Sequence, residues 1–518
     1  MHLVLLHGYL LQGTGSNVYV ANIAKAWRDQ GHAVTVVCQE RQAAHLPFVK
    51  EYVGPQEPLP ENPPASGTIR VVVPHINDLL PVYVFDRYEG YTVKTIPQMT
   101  VQEMEDHLAM TAAVLRQVAL QGAARVLANH AMFGPVIAKR ALDGTNVPYD
   151  VKIHGSAVEY TLVPNPHLMP YALEGLAGAD QIIVGTRHMK NRFVEVFEPH
   201  REVLKFDHKL QIVPPGMDPD IFALNDDFEK SHSQFLEKVR ARIAKNPNGR
   251  RQHAVSAPNG ASGNALHKTL TEHSDTYDQR ATDADLLERW PHLQADEPVI
   301  LYFGKFLDTK GAGELLVTVP TILARVPQAR VIFVGFGSYR EHLEGMLQAL
   351  ATGDLESFIA YARAGNFVEE MDFSKWFRRL SPEEMSRITV TGILDHDTLR
   401  ELLPLARLSV VPSKWAEPFG MVAVEAMAAG VMPLINNHAG LRDVVNEVTA
   451  VSPELAELIS LDRPTFVDQL PGKIEAALRY LYPNGFGDQE KRRQVGRELR
   501  QISVEKFSWG GIARRLLG

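Results

Sequence analysis

From its first residues the chain alternates short, near-continuous apolar runs with amphipathic helical patterns: HLVLL at 2–6, NVYVANIAKAWRDQ at 17–30, AVTVVC at 33–38. The alternation continues through TIRVVV, ARVLANH, YDVKIHG and ADQIIVGT and closes near LQIVPPGMDPDIF at 210–222. Strands that are apolar on both faces belong to parallel sheets covered by helices on either side, and the repeat of run, turn and helix is βαβ grammar. A second series opens at EPVILYFG (297–304) and runs through ARVIFVGFG, RITVTGIL, ARLSVVPS and VMPLINN. The chain has 518 residues, more than one core of about 250–300 residues supports, so the two series predict two doubly wound, Rossmann-like α/β domains.

The expected boundaries follow from where this pattern stops. Residues 1–222 form the amino-terminal domain and 297–490 the carboxyl-terminal one, the latter carrying a helical insertion at about 346–386. Between them, 223–296 is poor in periodic apolar residues and rich in Asn, Gly, Ser and His, and reads as a loosely ordered polar insertion. Its His253, His267 and His273 lack metal-ligand spacing and read as solvated side chains. Residues 491–518 are helical and are expected to cross back to the amino-terminal domain.

Bulk properties exclude several classes. A net charge of −8, from 53 basic and 61 acidic residues, disfavours an extended nucleic-acid surface, and no nucleic-acid partner is expected. The lone Cys38 ends a strand, so neither an intramolecular disulfide nor a cysteine metal cluster can form. The start MHLVLLHGYLL lacks a basic leader and no uninterrupted apolar stretch reaches 18 residues; a cytoplasmic protein is expected, with peripheral membrane association left open.

Ligands of doubly wound sheets bind beyond the carboxyl ends of the strands, and the candidate residues are sought there. LYFGKFLDTKGAGELL places Gly304, Lys305 and Lys310 after a strand, with a glycine-rich helix start following, the makings of a diphosphate site. In SKWAEPFGMVAVEAMAAG, Glu417 and Glu425 flank a Pro-Phe-Gly turn, and a helix is expected to start around Phe419 and stop at Gly430. Eight helical residues rise about 12 Å. Glycosidase pairs need about 5–9.5 Å, so the two acids read as hydroxyl acceptors for separate parts of one long ligand. Backbone N–H groups of Phe419, Gly420 and Met421 would face that ligand.

Six motifs in order (the Lys305/Lys310 pair, VGFG at 334–337, VTG at 390–392, VVPS, the Glu-x7-Glu run and AGLRDVV) resemble the donor half of retaining family-4 glycosyltransferases of the GT-B fold. VPPGMD and the closing FSW match as well, and SNVYV is similar, more distantly, to the mycothiol-synthesis glycosyltransferases and sucrose-phosphate synthases. The resemblance covers both ends of the chain but neither insertion. It implies two Rossmann-like domains facing across a cleft. It implies that Glu425 binds the donor ribose, that Glu417 binds sugar hydroxyls, and that the loop Phe419, Gly420, Met421, Val422 holds sugar and phosphate. Lys305 and Lys310 would neutralise the leaving diphosphate; family members usually carry Arg at the first position, and Lys305 supplies charge without a bidentate fork.

In the amino-terminal half, Gly13 and Gly15 match the family's glycine loop beside donor phosphate or acceptor, and His154 matches a histidine near the reacting sugar carbon. Family members using inositol phosphate tend to carry Thr after that histidine, where this chain has Gly155. Asn17, Arg87, Tyr88, Asn129 and His130 lie where acceptor loops are expected. The expected activity is transfer of a sugar, with retention, from a nucleotide diphosphate sugar to a hydroxyl acceptor (small molecule, glycan or lipid), with no metal ligand set and no cofactor beyond the donor itself. A GT-B phosphorylase or epimerase and a non-catalytic nucleotide-sugar-binding protein are the rival readings.

Overall fold

In the computed structural model, which describes residues 1–13, 15–84, 88–255, 262–364 and 371–518, each series of apolar runs becomes one wholly parallel sheet. The chain divides into two units, Met1–Gly216 with Phe507–Gly518, and Met217–Lys506.

The first unit holds β1 (His2–Leu6), β2 (Ala33–Val37), β3 (Glu51–Val53), β4 (Ile69–Val72), β7 (Ala123–Asn129), β8 (Tyr149–Lys152), β9 (Gln181–Val184) and β10 (Leu210–Ile212), in the order β10-β9-β8-β7-β1-β2-β4-β3. A separate parallel pair, β5 (Leu79–Val82) with β6 (Thr92–Thr95), lies in the stretch preceding β7. The chain builds outward from β1 to one edge and then restarts on its other side at β7. The winding direction therefore switches between β1 and β7. Alternate residues of β1 serve opposite faces, as the pleat requires. Val4 and Leu6 join the core under the helices Val101–Ala119 and Gly134–Leu142, whereas Leu3 and Leu5 join that of the helix Gly15–Asp29. The chain's end returns to this second face: the indole of Trp27 donates to the carbonyl of Ala513 at 3.1 Å and Gln30 donates to that of Gly510 at 2.9 Å.

The second unit holds β11 (Val299–Lys305), β12 (Arg330–Phe336), β13 (Ile388–Val390), β14 (Leu408–Val411), β15 (Met432–Asn436) and β16 (Ser460–Leu461), ordered β13-β12-β11-β14-β15-β16. Here the winding switches between β11 and β14. The helix Leu355–Ala364 lies within the stretch of about 346–386 expected as an insertion, and the helix Arg340–Thr352 runs into it from before its start. Among the described residues no helix is long and apolar enough to cross a membrane.

The polar stretch 223–296 differs from its expectation of loose order. It forms the helices Phe228–Lys245 and Gly263–Ser274, which bury Phe235 with Val239 and Leu266 with Leu270, pairs one turn apart. Charge does the rest. Arg250 is fully buried and donates from Nε to Glu341 at 2.8 Å; Arg340 reaches Asp283 and Glu344, each at 2.7 Å; Arg289 reaches Asp283 at 2.7 Å. An ion network thus supplies the cohesion that an apolar periodicity would have signalled. His253 is exposed, as expected, with Nε2 3.4 Å from Glu341, whereas His267, expected to be solvated, is half-buried with Nδ1 3.0 Å from Nε2 of His342.

Truncating one partner of a buried ion pair strands the other charge, at a loss of about 3–5 kcal/mol. Arg250→Ala is therefore expected to lower the denaturant midpoint of the second unit sharply. The double variant Arg250→Ala/Glu341→Ala should lose less than the two single losses added together, measured by urea melting of the full chain.

Candidate active site

Both switch points gather the candidate residues. In the second unit β11 ends at Lys305, a single turn covers Asp308–Lys310, and the helix Ala312–Arg325 follows; across the switch, β14 ends at Val411. The carbonyl of Thr309 accepts from the N–H groups of Lys414 at 2.9 Å and Trp415 at 3.2 Å, stitching the two loops together. Lys310 donates from Nζ to Oε1 of Glu417, which also accepts the Ser413 hydroxyl at 2.8 Å. Behind them, Asn436 Nδ2 at 2.9 Å and His438 Nε2 at 2.7 Å donate to the Ser413 carbonyl, and Lys414 reaches the buried Glu314 at 2.6 Å. Lys305 is exposed and has no ion-pair partner among the described residues. Gly304 precedes it at the strand end. The two residues assigned to sugar and diphosphate, Glu417 and Lys310, thus hold one another.

The helix bearing Glu425 spans Met421–Ala428, so it starts two residues later than expected. Phe419 turns its ring into the core instead of opening a helix, and Gly420 takes φ +112°, a left-handed conformation in which a Cβ would fall 2.3 Å from Leu441. The AGLRDVV motif explains this tightness. Gly440 donates its N–H to the Glu417 carbonyl at 2.8 Å, and a Cβ there would lie 2.4 Å from the carbonyl oxygen of Pro418. The N–H groups of Met421 and Val422, at the helix start, have no acceptor within the helix. Glu425 is 7% exposed and has no cation or hydrogen-bond donor on its carboxyl among the described residues. Burial alone pushes its carboxyl up to about 7.

In the first unit, His7 follows β1, Asn129 ends β7 with His130 next, and His154 lies just beyond β8. Asn129 donates from Nδ2 to the Leu6 carbonyl at 3.1 Å, which leaves its Oδ1 to accept from His154 Nε2 at 2.9 Å. His154 therefore carries its proton on Nε2 and presents Nδ1 as an acceptor. His130 adopts φ +72°, is buried, and has no hydrogen-bond partner on either ring nitrogen among the described residues. Its ring sits among those of Tyr83 (4.5 Å), His154 (4.8 Å), Tyr9 (5.3 Å) and His7 (5.7 Å). Burial, reinforced by neighbouring cationic positions, holds His130 and His154 well below the ordinary imidazole value, and burial brings His7 down to about 4. All three are neutral near pH 7. The cavity that His7 and His130 line, with Tyr9 and Asn129, has room for about 30 Å³, space for one water and not for a substrate.

The remaining expectations divide. Asn17 is 0% exposed and its amide is committed to His7 at 2.9 Å and to the Gln12 carbonyl at 2.6 Å, so it shapes the glycine loop and is closed to an acceptor. Gly13 and Gly15 stand in that loop, where the helix begins at Gly15. Tyr88 is half-buried and stacks on Tyr9, ring centroids 6.3 Å apart. Arg87 lies outside the described residues. Sequence reasoning passed over His7, although it directly follows β1 at the switch point, where the same strand-end rule would have found it. It also passed over Lys152, a buried strand lysine that donates to the Val213 carbonyl at 2.6 Å and that burial pushes down to about 7.

Two family models match the chain in succession: a glycosyl transferase 4-like domain over residues 14–204 and the glycosyl transferases group 1 over 287–451. Among curated relatives, an uncharacterized glycosyltransferase of Methanocaldococcus jannaschii is 26% identical over 223 residues, 43% of this chain and 44% of that protein. The sulfoquinovosyl transferase of Arabidopsis thaliana is 20% identical over 243 residues, 47% of this chain and 37% of that protein. The matches span less than half the length of these relatives. Among solved structures, sucrose-phosphate synthase from Thermosynechococcus elongatus superposes with a TM-score of 0.50 at 18% identity, covering 99% of this chain and 97% of that one. Anabaena HepE in complex with UDP gives 0.52 at 14% identity, covering 100% and 98%. At these identities the likeness is one of fold.

The Glu425 carboxyl sets a pH window. Unfolded, it ionises near its ordinary value of 4.5; folded, it keeps its proton up to about 7. Below the first value neither state pays for burying charge, and stability falls as pH rises between the two values, levelling off above the higher one. Glu425→Gln is expected to melt higher than the parent chain at pH 8, with the gap narrowing towards pH 5, in paired thermal scans.

Proposed function

The chain belongs to the GT-B glycosyltransferases of the family-4 type, and from that membership we propose that it transfers a sugar from a nucleotide diphosphate donor to a hydroxyl acceptor with retention of anomeric configuration. The observation that carries the reading is the Lys310–Glu417 pair at the switch point, set beside a helix start whose N–H groups have no acceptor within the helix. A cation, an exposed second cation at Lys305 and a helix amino terminus together suit a diphosphate, while Glu417 suits the hydroxyls of the sugar attached to it. UDP in the Anabaena neighbour is consistent with a nucleotide donor.

The chemistry follows from these roles. As the bond from the anomeric carbon to the diphosphate breaks, positive charge builds on the sugar and negative charge on the leaving oxygens. Fixed cations placed where that charge develops lower the barrier. On this reading Lys305, Lys310 and the helix start supply the charge that a divalent metal supplies elsewhere, and no metal is required. The acceptor oxygen bonds to the anomeric carbon on the face the diphosphate leaves, and the acceptor proton passes to the departing phosphate oxygen. His154, neutral and oriented by Asn129, offers Nδ1 to a sugar hydroxyl. Glu425, lacking a partner of its own, accepts from the ribose. The acceptor end is assigned to Tyr88, half-buried in the stretch before β6, with Asn129 and His130 behind it as the buried support of His154, and the reaction to the cytoplasm.

Lys310→Ala and Glu417→Ala are each expected to lower kcat/KM by about 10²–10³, the loss typical of one preorganised transition-state contact. Turnover should persist in EDTA, and NMR of the first product should show the donor's anomeric configuration. Inverted product would remove the retaining assignment, and loss of activity in EDTA would remove metal independence. Sugar phosphate or an epimer formed from the nucleotide sugar without acceptor would favour the phosphorylase or epimerase, and nucleotide binding without any turnover would favour a sensor.

A further inference from the structure

Beyond the carboxyl ends of β11 and β12 lies a second cavity, with room for about 480 Å³. One side is Lys305, Leu307 and Phe336; the other is the short segment 275–280, which belongs to the polar insertion and falls between the two family-matched stretches. We propose that this segment reads the nucleoside of the sugar donor through the side chains of Gln279 and Arg280. The inference rests on the donor assignment above and adds to it the part of the chain that selects the base.

The backbone of the segment is fixed from several sides. Asp278 closes the turn, its Oδ1 accepting the N–H of Arg280 at 2.8 Å and its Oδ2 the amide of Asn246 at 2.6 Å, while its own N–H donates to the Asn248 carbonyl at 2.9 Å. Tyr277 ties the segment to the buried ion network through a 2.9 Å bond to Glu341. Just downstream, Thr282 bridges Gly392 and Asp283 donates to the Thr391 carbonyl at 3.0 Å, so the insertion is pinned to the loop that follows β13.

Two side chains on this rigid turn are left available. Gln279 spends one N–H on Asp275, at 2.8 Å, and keeps its carbonyl oxygen; Arg280 is exposed and has no ion pair among the described residues. One acceptor and one planar fork of donors are the groups that discriminate base edges. Phe336 and Leu307, half-buried, offer an apolar floor for the face of a base, and Lys305 stands where a phosphate would enter. The strand order gives the ligand a direction. From Glu417 after β14 it passes the lysines after β11 and arrives at the end of β12, where this cavity lies.

The test is calorimetric titration of the full chain with UDP, GDP and ADP. Lys305→Ala is expected to weaken all three by a similar factor. Gln279→Ala/Arg280→Ala, both surface side chains whose replacement is checked by an unchanged melting temperature, is expected to alter the ratio of the tightest to the weakest dissociation constant by about tenfold or more, the scale of one or two lost polar contacts. If the nucleotides bind the double variant with the parent's ratios, the segment does not read the base and the inference is overturned, although the donor site stands. If none of the three binds the parent chain, the donor assignment falls and the inference falls with it.

Discussion

The ion pair between Lys310 and Glu417 joins residues 107 positions apart, and the geometry of the second unit's site depends on it. Neither loop could hold its side chain alone: each leaves a strand end and has only a turn of its own. The Thr309 carbonyl aligns them by taking two N–H groups from the opposite loop, and the Ser413 hydroxyl caps the same carboxylate oxygen that Lys310 reaches. Both charges are partly screened from water, so the pair keeps more of its attraction than an exposed pair would. On the proposed reading, a donor entering here would meet a cation and an anion already held in place. Diphosphate can take Lys310 while sugar hydroxyls take Glu417, so the pair exchanges one set of polar partners for another and leaves no charge stranded.

The same topological rule yields electrostatically opposite results in the two units. At the β11/β14 switch the strand ends present lysines, a carboxylate and helix N–H groups, a setting for an anionic leaving group. At the β1/β7 switch they present three imidazoles kept neutral by burial, interleaved with tyrosines and two amides. Neutral donors and acceptors recognise hydroxyl groups without attracting a counter-ion. Asn129 is the hub of that cluster, since its amide is read on one side by the β1 carbonyl of Leu6 and on the other by His154. It thereby transmits the register of the sheet to the tautomer of a histidine.

Much of this was legible in the sequence because parallel strands buried on both faces leave an unambiguous apolar signature, and because sites at strand ends inherit their positions from the strands. His130, His154, Lys310 and Glu417 lie just beyond strand ends, where that rule directs the search. Asn17 was misjudged: its place in a glycine loop suggests a ligand contact, but whether an amide is free or already committed to His7 depends on a partner ten residues back. The polar insertion was misjudged for a similar reason. Its cohesion comes from Arg250, Asp283 and Arg289 meeting Glu341, Arg340 and one another, and charge pairing across 91 positions leaves no period to detect. Phe419 shows the limit at finer scale, because the helix start was displaced by the packing of Leu441 and Gly440 against the turn, a contact no local propensity encodes.

Two acids on one short segment answer to different physics. Glu417 has a cation and a hydroxyl within reach. Glu425, eight residues on, has apolar neighbours and no partner among the described residues, and its proton is held to about pH 7 by burial alone. An unpaired buried carboxyl is unfavourable in the free protein, and that cost is relieved when a ligand brings hydroxyl groups to it. Part of the binding free energy of a donor ribose would therefore come from satisfying a group that folding left unsatisfied. A pre-paired acid such as Glu417 must first release what it holds and contributes less to affinity than to orientation. On the proposed donor assignment, the spacing of the two along the turn and helix would separate anchoring from alignment, the deeper acid retaining the nucleoside side of the ligand and the paired one aligning the sugar.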